Sequence, residues 1–308
     1  DKFIIFSDQH RGAKDWADDF KDAEPCYLGA LTYYNEAGYT FISLGDAEEL
    51  WENKLPAVKK HNGVTFDAEK KFIDRNAYIK VFGNHDLYWA NDPFASFQLK
   101  KIYNTEVKIY EGVIIKAVVN QQDFLFFLTH GHQGDKSSDG NWFSKFFVAN
   151  IWAPLQAYLR INPNTPAYDE EIKTEHNRIM YEWSAQEKGL CLITGHTHQP
   201  VFESLTHLER LHKDLFIAKG KGDTAKAADL EKDIRERQKD YKSISIDFLK
   251  MRPGYFNSGC CCFSDGDITG IELEGGEIRL IKWQLEENQP VRIVLEKTPV
   301  ASLQQQLL

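Results

Sequence analysis

Short, unbroken apolar runs punctuate the chain, and most of them end in a polar phrase rich in His, Asp and Gly. Phe3-Ile4-Ile5-Phe6-Ser7 leads into Asp8-Gln9-His10, and Phe41-Ile42-Ser43-Leu44 into Gly45-Asp46. Phe124-Leu125-Phe126-Phe127-Leu128 leads into Thr129-His130-Gly131-His132, and Leu190-Cys191-Leu192-Ile193-Thr194 into Gly195-His196-Thr197-His198. A fifth phrase, Phe82-Gly83-Asn84-His85-Asp86, stands where another strand runs out. Runs this short and continuous predict strands buried on both faces. In open α/β sheets such strand ends converge on one crevice, so the pattern predicts carboxylates, imidazoles and one carboxamide in a single place.

Between these runs the period changes. Tyr27, Leu28, Leu31 and Tyr34 form a helical stripe that stops at Ala37-Gly38, giving the first half a βαβ rhythm. Gly112 to Leu128 reads as a hairpin turning at Asn120-Gln121-Gln122-Asp123. From Tyr255 onward the runs Gly259 to Phe263, Ile268 to Leu273 and Ile278 to Leu285 read as antiparallel strands, split by Asp265-Gly266-Asp267 and Gly275-Gly276. The expected fold class is α/β, two stacked mixed β-sheets flanked by helices, in a single domain over 1–308.

Two segments interrupt that plan. An insertion over 135–188 carries Trp142, Phe143, Phe146, Phe147, Ile151, Leu155, Tyr158 and Leu159 at helical spacing and then, after Asn162-Pro163-Asn164, Ile172, Ile179, Met180 and Trp183. It reads either as a helical pair packed on the core or as a helical cap whose aromatic face overhangs the crevice. As a cap, it would offer the apolar surface that an acyl chain needs, extending the expected substrates to lipid-linked ones and the expected contacts to a membrane surface. The second insertion, 205–243, is dense in Lys, Glu, Asp and Arg, is broken at Lys219-Gly220-Lys221-Gly222-Asp223, and reads as a solvated helical hairpin.

Composition narrows the class. At 308 residues, 42% hydrophobic and 13% aromatic, the chain is globular rather than disordered. A net charge of -9 disfavours generic nucleic-acid binding, and no nucleic-acid partner is expected. Five cysteines, three of them consecutive at Cys260, Cys261 and Cys262, make no disulfide framework and read as small buried residues of a reducing compartment. No charged and then apolar leader opens the sequence, and no run is long enough to span a bilayer. The expectation is a cytoplasmic protein, peripheral to the inner membrane if the aromatic insertion meets lipid.

The strand-end phrases suit metal. Mn²⁺, Fe²⁺ and Zn²⁺ all accept imidazole together with carboxylate oxygen, and the phrases contain no thiol, which argues against a structural zinc site. Two ions fit the inventory better than one. Asp8 and His10 leave one strand end two residues apart and so project to one side, as do His196 and His198. A carboxylate such as Asp46 can bridge ions about 3.5–4 Å apart, the spacing used by two-metal hydrolases. Asn84 adds a neutral oxygen, which keeps the charge low enough to attract a phosphate anion.

In order from Asp8 to His198, the five phrases resemble the motif series of the calcineurin-like metallophosphoesterase superfamily: D-x-H, GD, GNH(D/E), a histidine after a strand, and GHxH. The resemblance implies an αββα sandwich in which Asp8, His10, Asp46 and His198 hold one divalent ion and Asp46, Asn84, His130 and His196 the other. Mn is the first expectation for the metal, with Fe and Zn served by the same set. His85 would be the acid and charge stabiliser beside phosphorus, Asp86 its orienting partner, and a hydroxide bridging the ions the in-line nucleophile. His132 matches no ligand position and is read as a neighbour of the ligands or the substrate, while His61, His176, His207 and His212 are read as ordinary surface or core residues. The stretches Gly45-Asp46-Ala47-Glu48-Glu49-Leu50-Trp51 and Gly195-His196-Thr197-His198-Gln199-Pro200 are similar to the UDP-2,3-diacylglucosamine diphosphatase branch, which also carries a helical cap. That branch has Arg where this chain has His85.

The function implied is dinuclear metal-dependent phosphodiester or pyrophosphate hydrolysis in a bacterial relative, on a lipid-linked or nucleotide-sugar substrate such as a UDP-diacylglucosamine-like molecule. Two rivals are a soluble nucleotide phosphodiesterase or phosphomonoesterase, and a non-catalytic scaffold of the same fold that docks proteins on the 205–243 hairpin. The complete ligand series and His85 argue against the scaffold.

Overall fold

The computed structural model of the chain describes residues 1–15, 18–132, 170–237 and 251–308. Three short apolar strands, β1 (Phe3–Phe6), β2 (Thr40–Leu44) and β3 (Tyr78–Val81), lie side by side and parallel, with β4 (Ile109–Tyr110) beyond them. Helix α1 (Phe20–Glu36) joins β1 to β2, α2 (Leu55–His61) and α3 (Gly63–Asp74) join β2 to β3, and α4 (Tyr88–Asn91) and α5 (Ala95–Tyr103) precede β4. A hairpin of β5 (Gly112–Val119) and β6 (Gln122–Thr129) follows, then α6 (Glu170–Ser184), β7 (Leu190–Thr194), β8 (Val201–Phe202) and β9 (Leu205–Thr206). The chain closes with α7 (His207–Gly220), α8 (Thr224–Arg237), β10 (Tyr255–Asn257), the meander β11 (Ile268–Glu274), β12 (Glu277–Glu286) and β13 (Gln289–Pro299), and α9 (Val300–Leu307).

Among the described residues these strands make two mixed sheets, ordered β13-β12-β11-β1-β2-β3-β4 and β5-β6-β7-β10-β8-β9. Period-two alternation explains how they stack. Ile5, Ile42, Leu44, Val81 and Ile271 of the first sheet meet Phe124, Phe126, Leu128, Ile193 and Phe256 of the second in one buried layer. The opposite side of the first sheet, through Ile4, Phe6 and Phe41, packs on Phe20, Tyr27, Leu31 and Tyr34 of α1. Met180 of α6 does the same for Leu192, Val201 and Tyr255 of the second sheet. Helix, sheet, sheet, helix is the expected αββα arrangement, and apolar residues on both faces of β1 and β2 are why those runs are unbroken in sequence.

Three details differ from expectation. Gly259 to Phe263 is not a strand: pairing ends at Asn257, and the following loop is tied by Ser258 N–H to Thr194 O (2.9 Å) and by Cys261 N–H to Asp8 O (3.1 Å). The hairpin turns more tightly than its polar stretch implied, on Asn120 (φ 50°) and Gln121 (φ 64°), a two-residue turn with both residues left-handed. β13 carries too few contiguous apolar residues to read as a strand, yet it pairs along nearly all of β12.

Of the aromatic insertion, Trp142, Phe143, Phe146, Phe147, Ile151, Leu155, Tyr158 and Leu159 lie outside the described residues; its last part is α6, where Ile179 and Met180 are buried and Trp183 meets Phe127 edge-on at 6.1 Å. The charged segment contains α7 and α8, which pack through a seam of Leu208, Leu211, Ala218, Ala227, Leu230 and Ile234. No helix among the described residues is long and apolar enough to cross a membrane.

Under the carboxyl ends of β1 to β3 lies a buried ionic cluster that props the Asp46 loop. Arg11 donates to Ala47 O (3.1 Å), Glu48 (2.5 Å) and Glu69 (2.7 Å), Lys80 donates to Glu48 (2.8 Å), and Tyr27 and Trp89 complete the acceptors' shells. Burial would raise the Glu48 carboxyl, but Lys80 and Arg11 hold it down at about 2. Arg11→Met should therefore destabilise the chain by about 3–5 kcal/mol, because it leaves buried acids uncompensated. Urea unfolding measures this directly, and a loss below about 1 kcal/mol at unchanged slope would show that the tyrosines and Lys80 alone satisfy Glu48 and Glu69.

Candidate metal centre

The polar phrases leave the carboxyl ends of β1, β2, β3, β6 and β7 and are laced together before any side chain is considered. Asp8 N–H donates to Gly45 O (3.1 Å), His10 N–H to Asp46 O (2.9 Å) and Gly195 N–H to His130 O (3.0 Å). Asp8 (φ 54°), His10 (φ 49°), Asp46 (φ 51°), His196 (φ 71°) and His198 (φ 56°) all adopt the left-handed conformation. Strand-like alternation is therefore not what brings Asp8 together with His10, or His196 with His198; the left-handed pairs aim them. The glycines permit the close approach: a Cβ on Gly83 would lie 2.2 Å from Asp46 Oδ1, and one on Gly195 2.5 Å from Asp8 Oδ2.

The side chains then meet. His198 Nε2 lies 3.3 Å from Asp8 Oδ1 and 3.1 Å from His10 Nε2; His10 Nε2 and His130 Nε2 lie 3.7 Å and 3.0 Å from Asp46 Oδ2. The ligating atoms of Asp8, His10 and His198 lie within 4.8 Å of one another, as do those of Asp46, His130 and His196. Asn84 is buried with its side-chain oxygen unpaired. His130 Nδ1 donates to Leu44 O at 2.9 Å and His10 Nδ1 to Glu49 Oε2 at 3.0 Å, which leaves each Nε2 facing the cluster. Two ring nitrogens facing each other, a bare carboxamide oxygen and a carboxylate 3.0 Å from an imidazole nitrogen are satisfied together by cations, so the residues present fit divalent metal.

Electrostatics agree. Burial opposes charge throughout, yet the imidazoles hold the Asp8 and Asp46 carboxyls well below the usual range. Against the same burial, Asp46 and Asp8 push the His130 imidazole up to about 9. His196 goes the other way, lowered by burial and by His176, whose ring centroid lies 5.0 Å away. His132, buried behind His130, is lowered to about 3 by burial and by that neighbour's charge, so it stands neutral.

His85 sits at the rim, with its ring stacked on Trp51 (3.9 Å, 24°) and its Nδ1 2.6 Å from Glu49 Oε2. The carboxylate bonded to its Nδ1 is therefore Glu49, not Asp86. Asp86 points away, accepting the backbone N–H of Gly83 (2.6 Å) and Ala47 (2.9 Å), because the turn after β3 directs it beneath the loop rather than toward the ring. Burial pushes the Asp86 carboxyl up to about 6. Glu49 and Trp51 were visible in the Gly45 to Trp51 stretch, but nothing in sequence spacing gave them a role. Asn257 donates to Gly195 O (2.7 Å) and Thr197 Oγ1 (3.2 Å) and so fixes the second histidine loop; in sequence it stands only in Asn257-Ser258-Gly259, a phrase similar to the family's second sheet, and His176 reads as an ordinary histidine.

The family model described as calcineurin-like phosphoesterase matches residues 1–200. No curated protein matches the chain. Solved structures of Vacuolar Protein Sorting 29 from Cryptosporidium parvum (11% identity, TM-score 0.36, covering 97% of this chain and 98% of that one) and of a Vps29 single mutant from Entamoeba histolytica (14%, 0.34, 96% and 100%) are distantly similar. Likenesses that remote leave the chemistry to be read from the site. The family match spans every residue from Asp8 to His198 that converges at the strand ends, and the chain belongs to the calcineurin-like phosphoesterase family.

Proposed function

We propose that the chain is a dinuclear divalent-metal hydrolase of phosphodiesters or pyrophosphates. Family membership supports metal-dependent phosphoester hydrolysis; the observation that supports the finer reading is the pair of close triads Asp8-His10-His198 and Asp46-His130-His196, together with the buried, unpaired side-chain oxygen of Asn84. Asp8, His10, Asp46 and His198 would hold one ion and Asp46, Asn84, His130 and His196 the other, with Mn, Fe and Zn all acceptable to such a set. Bound there, divalent ions activate water and screen phosphoryl charge.

The chain's own residues supply the rest. Asp46 Oδ1 accepts the backbone N–H of His85 at 2.8 Å, so the carboxylate that would bridge the ions also sets where the imidazole stands. Trp51 fixes the ring plane. Glu49, whose carboxyl burial would raise but which hydrogen bonds from His10 and His85 hold down at about 2, places a negative charge beside His85. The ring so placed would serve as the acid to a leaving oxygen. Glu49→Gln should cost about 10–100-fold in metal affinity or turnover, the usual loss when an outer partner of a ligand is removed. Metal affinity and turnover both unchanged would leave Glu49 a purely structural residue.

The test of the reading is turnover of bis-p-nitrophenyl phosphate, p-nitrophenyl phosphate and a UDP-linked lipid by chain loaded with each metal. Diester or pyrophosphate cleavage that chelation stops is expected. Monoester cleavage alone, or binding of metal without any turnover, would overturn it. The lipid arm probes the acyl-binding role assigned to the aromatic segment before α6.

A further inference from the structure

The side of His198 that faces away from the carboxylates meets two thiols. His198 Nε2 is turned toward Asp8, while Nδ1 lies 3.8 Å from Cys262 Sγ, and Nδ1 with the sulfurs of Cys260 and Cys262 falls within 4.8 Å of one another. The loop after β10 enforces this. Cys261 N–H donates to Asp8 O (3.1 Å), Thr269 N–H donates to Cys260 O (3.0 Å), and the Cys261 side chain is packed into the α1 core. Its two neighbours are thereby turned together to the opposite side, against the imidazole. All three thiols are free, and Cys260 and Cys262 are buried.

We propose that Cys260, Cys262 and His198 Nδ1 form a separate site for a thiophilic cation of the Zn²⁺ class, adjoining the carboxylate-rich centre and sharing His198 with it. Two sulfurs and one ring nitrogen are a soft set, suited to zinc-like ions, whereas the neighbouring oxygen-rich set suits harder ones; three protein ligands leave a coordination position open. Binding releases the two thiol protons, and the Nδ1 proton where present, to solvent. One imidazole then faces two cations, so loading of the thiol site and of the carboxylate site are linked through a single ring.

Co²⁺ added to the metal-stripped full chain under a phosphine reductant tests this, because sulfur ligation gives near-ultraviolet charge-transfer absorption that oxygen and nitrogen ligands do not. Wild type and Cys261→Ser should show that absorption. Cys260→Ser with Cys262→Ser should lose it while keeping the visible bands of Co²⁺ at the Asp and His ligands. No sulfur band in wild type, or an undiminished band in the double variant, overturns the proposal. If the double variant does not fold, Cys260→Ala and Cys262→Ala must each diminish the band, and an unchanged band in both is equally fatal. Diester turnover is a separate readout, so failure here would not bear on the hydrolase reading.

Discussion

Asp46→Ala should abolish metal-dependent hydrolysis and lower metal content together. Asp46 Oδ2 lies 3.7 Å from His10 Nε2 and 3.0 Å from His130 Nε2, and its other oxygen anchors the His85 backbone, so one deletion removes a contact of both ligand groups and the support of His85. The loss should exceed the roughly 10–100-fold that follows removal of a mere outer partner. Metal analysis alongside turnover checks it. A variant that retains two ions per chain and wild-type rate would remove the bridging assignment.

His85→Asn should separate chemistry from metal binding. The ring contacts Glu49 and Trp51 and stands edge-on to His10, so its loss should leave metal content near normal while turnover falls by about 10²–10⁴, the usual worth of a positioned acid. The deficit should be largest for substrates with basic leaving groups and shrink for nitrophenolate, which needs little protonation. An equal loss on both, or a loss of metal, would reassign His85 to binding.

Much of this was legible in the chain because two physical signals coincide. Continuous apolar runs mark strands covered on both faces, and β1, β2 and β7 are of that kind. Polar phrases directly after such runs mark the sheet edge where side chains gather. Where a signal was absent, so was the inference. β13 is half exposed and has no unbroken apolar run. The Gly259 to Phe263 loop is apolar because it is buried against the sheets, not because it pairs with them, and burial alone does not distinguish the two. Adjacency pairs Asp86 with His85, but a left-handed or turning backbone sends neighbours in different directions, and the carboxylate in contact with the His85 ring is Glu49, 36 residues away. The thiols beside His198 lay outside the strand-end phrases, which made the inventory look sulfur-free.

The left-handed backbone at Asp8, His10, Asp46, His196 and His198 has a consequence for how this protein can change. Each such residue with a side chain costs about 1–2 kcal/mol relative to the ordinary right-handed state, so the five together load a sizeable penalty onto one small region. Selection for stability alone would drift these positions toward glycine, which takes that conformation freely. Selection for ligation holds them where they are. The centre is thus a place where stability and the proposed ligation pull in opposite directions.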